Sequence, residues 1–91
     1  MLREQKVKHL VRVKTGWVLG GHENAVLDGH SKKLPSKEAI ISEAYDEVMT
    51  AKFLELGGGL IPIEKDIRFM GKEAILELIK KEVEKEYDNS L

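Results

Sequence analysis

The sequence predicts an α+β domain: an antiparallel sheet of four or five short strands, one helix inserted after the first meander, and a C-terminal helix packed on the sheet. Three observations point there. In KVKHLVRVK, Val7, His9, Val11 and Val13 alternate with Lys6, Lys8, Leu10, Arg12 and Lys14, the period of a half-buried strand. Gly20-Gly21 and Gly57-Gly58-Gly59 punctuate apolar runs, as the turns of a meander do. Residues 72–87, KEAILELIKKEVEKEY, are rich in good helix formers and repeat their apolar residues at helical spacing. A small SH3-like or Sm-like barrel with added helices is the alternative architecture.

Taken in order, residues 6–14 form the first strand, since valine-rich alternation favours one buried and one basic face. Thr15-Gly16 is a turn signal, Trp17-Val18-Leu19 resumes an apolar strand, and Gly20-Gly21 permits a bend or bulge. Asn24 to Asp28 makes a further short strand closed by Asp28-Gly29. After the polar loop HSKKLPS, Ser36 is placed to cap a helix from about 37 to 50, with Glu38 favourable against its dipole. Ile41, Ala44, Tyr45, Val48 and Met49 share one face of that helix.

Residues 52–56 pose a fork. Either the helix runs on to Leu56 and Gly57 caps it, or KFLEL is a strand that turns through the glycines and pairs with LIPI. The hairpin is favoured because it buries Phe53, Leu54, Leu60, Ile61 and Ile63 in a sheet, with Pro62 confined to an edge or bulge. DIRFM, residues 66–70, alternates again and reads as a strand. In the last helix Ile75, Leu76, Ile79, Val83 and Tyr87 cover one arc, and Glu82 and Glu86 intrude near its end, so the final turns are expected to leave the core.

Ninety-one residues suit a single domain spanning residues 1–91. Without cysteine there are no disulfides and no thiolate zinc sites. No apolar run approaches the ~20 residues that cross a bilayer, and the charged N-terminus is unlike a signal peptide, so a cytoplasmic location is expected. The formal net charge of −1 hides a division. Residues 1–37 carry eight Lys and Arg against three carboxylates, a net of +5, whereas the remainder nets −6. Such a split implies an electrostatic partner, or two halves that face each other.

The stretch GWVLGGHENAVLDGH, residues 16–30, concentrates unusual chemistry. His22, Glu23, Asp28 and His30 are suitable in type for zinc, iron or nickel, and make a weak candidate for a metal-dependent or acid–base enzyme. Their spacing matches no metal motif, and glycines at the loop ends hold ligands poorly, so the plainer reading is two exposed loop histidines. His9 reads as a half-buried residue and Trp17 as core. Gly57-Gly58-Gly59 reads as a turn, since the phosphate-loop pattern is missing. No strained nucleophile elbow occurs, and no cofactor is expected.

The basic side of the first strand is a candidate nucleic-acid contact. Lys6, Lys8, Arg12 and Lys14 project together, with alternate residues about 6.5–7 Å apart, a spacing like that of phosphates along a strand. Five aromatic residues are too few for a base-stacking surface. The leading expectation is therefore a small non-enzymatic binding module, a homodimer, that engages a partner protein or, second to that, nucleic acid.

Overall fold

The computed structural model describes residues 2–90, with side chains as far as Asp88. It corrects the α+β expectation. Four helices and a single two-stranded hairpin run in the order α1 (Arg3–Leu27), α2 (Lys37–Met49), β1 (Phe53–Leu56), β2 (Gly59–Pro62), α3 (Glu64–Met70) and α4 (Lys72–Ser90). There is neither a four- or five-stranded sheet nor an SH3-like or Sm-like barrel; among the described residues the only sheet is β1–β2. α1, α2 and α4 pack pairwise into a three-helix core, and α3 closes one end against all three.

The largest departure is residues 3–27, one continuous helix in place of two or three strands. Val7, Leu10, Val11, Val18 and Leu19 are all buried. They recur at i, i+3, i+4, i+11 and i+12, the inner stripe of a helix. Val7 and Val11 satisfy both periods, because a separation of four is even and is also about one helical turn. Leu10 decides the matter: the strand reading put it with the cations, yet it is 1% exposed. Packing of that stripe on α2 and α4 overrides the β-preference of the valines.

Asp28-Gly29, which the sequence suggests closes a strand, ends this helix instead. Gly29 sits at φ 81°. His30 N–H donates to the Ala25 carbonyl at 2.9 Å and Gly29 N–H to that of Val26 at 3.1 Å. These two bonds make a Schellman cap, which needs a left-handed residue where glycine stands.

α2 has the expected span and cap, but its buried line is turned: Ile40 is fully buried, while Ile41, Tyr45 and Met49 of the expected face are only partly covered. The Ser36 hydroxyl accepts from the Ala39 N–H at 3.2 Å, satisfying an orphan donor of the first turn. Ile40, Ala44 and Val48 enter the core. The fork at residues 52–56 resolves as the hairpin, with Phe53 opposite Pro62, Leu54 opposite Ile61, Glu55 opposite Leu60 and Leu56 opposite Gly59. Gly57 and Gly58, at φ 60° and 83°, supply the two left-handed residues of a tight turn. Of the five apolar residues expected to be buried by the hairpin, only Leu54 and Ile63 enter the core; Ile61 is half-buried, and Phe53 and Leu60 face solvent because the two-stranded sheet has only one covered side.

Residues 66–70 are not a strand. Ile63, Ile67 and Met70 lie at i, i+4 and i+7, so one side of α3 faces the core and Phe69 is left in solvent. Gly71 at φ 85° breaks the chain between α3 and α4. In α4 the buried arc is Ile75, Ile79 and Val83, flanked by partly covered Leu78 and Tyr87. Its last turns stay on the core, contrary to expectation, because the Tyr87 hydroxyl donates to the Pro35 carbonyl at 3.0 Å. Among the described residues no helix is long and apolar enough to cross a membrane.

Candidate functional site: the outer face of the first helix

The helical geometry of α1 redistributes the residues singled out in the sequence. At 100° per residue, Lys6 and Lys14 fall to one side and Lys8 and Arg12 to the other. Each is met by a carboxylate of its own chain: Lys6 Nζ lies 3.3 Å from Asp66, Lys8 Nζ 3.3 Å from Glu4, Arg12 Nε 4.0 Å from Glu82 and Lys14 Nζ 3.9 Å from Glu47. The single basic face expected for a polyanion is not formed. The charge division is instead used within the fold, as the basic first helix is tied to acidic residues of α2, α3 and α4.

The tightest of these ties is at the N-terminal end of α1. Asp66, 12% exposed on its side chain, accepts from Arg3 Nε at 3.0 Å while Lys6 approaches its other oxygen. Burial pushes this carboxyl up, but the bonds from Arg3 and then Lys6 outweigh it and hold the group below its ordinary value. The Arg3 guanidinium also lies over the Phe69 ring, 3.8 Å from its centroid. Arg3 thus pins α3 to α1 with both its charge and its flat face.

The histidine stretch likewise forms no constellation. His22 stands on α1 and its Nε2 lies 2.7 Å from Glu43 on α2, a helix-to-helix contact. Glu23 is on another side of α1, while Asp28 caps the helix and His30 lies beyond it. Among the described residues no group of three His, Cys, Asp or Glu side chains is placed to hold a metal ion. His9 is half-buried on α1.

What the strand reading could not reveal is a second stripe on α1, directly opposite the buried one. Val13, Trp17, Gly20, Asn24 and Leu27 recur at steps of four, three, four and three, a heptad-like seam facing solvent, with Gly16 beside it. Trp17, expected in the core, is 67% exposed and Leu27 is 82% exposed. Beside Trp17, the missing side chains of Gly16, Gly20 and Gly21 leave an open depression of about 480 Å³, bounded by His22, Asn24 and Glu43.

None of these three glycines is demanded by the fold. All have helical rather than left-handed backbones, and a Cβ at each would meet nothing within 4 Å. Glycine inside a helix is about 1 kcal/mol less favourable than alanine, so three within six residues weaken α1 with no return inside the chain. Reading residues 3–27 at helical period would have exposed the seam: the apolar and small residues then divide into two sets on opposite sides.

No protein-family model matches this chain, and no curated protein or solved structure matches it.

Proposed function

We propose that this chain is a small non-enzymatic interaction module whose working surface is the outer face of α1, and that it acts by docking another polypeptide there. The observation that carries the reading is Trp17 held in solvent beside a depression made by Gly16, Gly20 and Gly21, glycines the monomer does not need. A large aromatic anchor next to a cavity is the usual composition of an interface centre. Absent side chains let a second helix approach below the ordinary interaxial spacing of about 8–10 Å. Neither the separated histidines nor the divided, internally paired cations supports a catalytic or polyanion-binding role as well as this seam supports docking.

The test is a photoreactive p-benzoylphenylalanine at position 17, with a control at exposed Lys80 on α4. A discrete covalent adduct to a polypeptide is expected from position 17 in cells, lost when Gly20→Leu fills the depression, and not formed from position 80. No adduct at 17, or the same adducts from both positions, would overturn the proposal.

A further inference from the structure

We infer that the polypeptide covering this seam is a second copy of the chain, paired antiparallel along α1 with Trp17 of each subunit seated over Gly20 and Gly21 of the partner subunit. The inference rests on the docking reading and names its partner. The seam carries both halves of a complementary contact within one turn: a large side chain at position 17 and missing ones at 20 and 21. A two-fold axis crossing the helix between positions 18 and 19 brings each Trp17 to the level of the opposite pair of glycines. Such an isologous contact closes on itself and needs no other surface.

The same axis sets Val13 opposite Asn24 of the partner subunit and His9 opposite Asp28 of the partner subunit. Charge selects this direction. From Thr15 to Asp28 the helix carries Glu23 and Asp28 and no Lys or Arg, whereas the cations from Arg3 to Lys14 are already balanced by carboxylates of the same chain. Parallel pairing sets the two acidic halves side by side; antiparallel pairing sets each against the charge-balanced half of the other copy.

The expected contact is modest. One helix face offers less than the ~800 Å² per subunit of a standard interface, so a concentration-dependent dimer in the micromolar range is expected.

Sedimentation equilibrium of the full chain tests this directly. A molar mass rising with concentration from the 10.3 kDa monomer toward twice that value is expected, and W17A should remain monomeric with an unchanged helical circular-dichroism spectrum. Register is read by disulfides, because the chain has no cysteine of its own. A mixture of V13C and N24C proteins should give the mixed disulfide. Either protein alone should not, since like positions then stand about 16 Å apart along the axis, beyond disulfide reach. Homodisulfides from each single variant would mean parallel pairing and overturn the inference. So would a monomer at every concentration; if position 17 still crosslinks to a different polypeptide in cells, the docking reading survives that result and only the second copy is lost.

Discussion

Replacing Gly16, Gly20 and Gly21 together by alanine should make the isolated subunit markedly more stable. A Cβ at each position meets nothing within 4 Å, so no repulsion offsets the gain in helix preference. Alanine is favoured over glycine inside a helix by about 0.8–1.0 kcal/mol per residue, and three such changes sum to about 2–3 kcal/mol. For a chain of this size that is about 10–20 °C in Tm. It is also a shift of about 2 M in the urea midpoint if the slope is about 1–1.5 kcal/mol per M. Urea titrations followed by circular dichroism at sub-micromolar protein keep association out of the comparison, and the slope should not change. At tens of micromolar the ranking should narrow or reverse, because wild type alone gains from pairing. A triple variant no more stable than wild type at high dilution would refute the argument. It would mean that these glycines serve the monomer.

Three further outcomes follow from the interior and its ties. Thr15 is fully buried and its hydroxyl has no protein partner, so Thr15→Val should stabilise by about 1 kcal/mol in the same titrations; a loss would show that the hydroxyl is bonded after all. Tyr87→Phe removes the hydroxyl's bond to the Pro35 carbonyl and should cost about 0.5–1.5 kcal/mol, with hydrogen exchange faster in the final turns of α4 and unchanged in α1. Asp66 has a lowered folded-state pKa, so its contribution is whole above the unfolded carboxylate value and is lost as pH falls through the folded one. Asp66→Asn should therefore be the less stable protein near neutrality and show a shallower loss of stability as pH falls through and below the ordinary carboxylate range; parallel pH profiles would show that Arg3 and Lys6 do not hold the carboxylate.

The elements legible in the sequence are those whose signals are local and unambiguous. Ser36 three residues before the Ala39 N–H it caps, and two adjacent glycines able to take positive φ between FLEL and GLIP, each specify one geometry. The arc of Ile75, Ile79 and Val83 does the same for α4. α1 was not legible as a helix because its signals are shared. Val7 and Val11 fit a strand and a helix alike, and Asp28-Gly29 closes a hairpin or ends a helix with equal ease. The deciding residue was Leu10, an apolar side chain among cations that only a helical turn brings inward. The same ambiguity hid the candidate site, since under a period of two Val13 joins Val7 and Val11, whereas under 3.6 it joins Trp17 and Gly20.

The charge division, legible from the start, is used largely inside the fold. A net +5 over residues 1–37 and −6 over the rest suggest an external ligand only while the two regions are imagined apart. Folded, Arg3 and Lys6 meet Asp66, Arg12 meets Glu82, Lys14 meets Glu47 and Lys37 meets Asp88, each joining two parts of the same chain. Surface pairs of this kind add little stability singly, but they bias which helix lies beside which. Helices α2, α3 and α4 thereby account for most of the cations of α1 and for its buried stripe. They do not account for Val13, Trp17, Leu27 or the three glycines between and beside them. That apolar, notched outer side is the surface on which the proposed docking rests, and the run from Thr15 to Asp28, acidic through Glu23 and Asp28 and without Lys or Arg, is what favours an antiparallel over a parallel copy in that proposal.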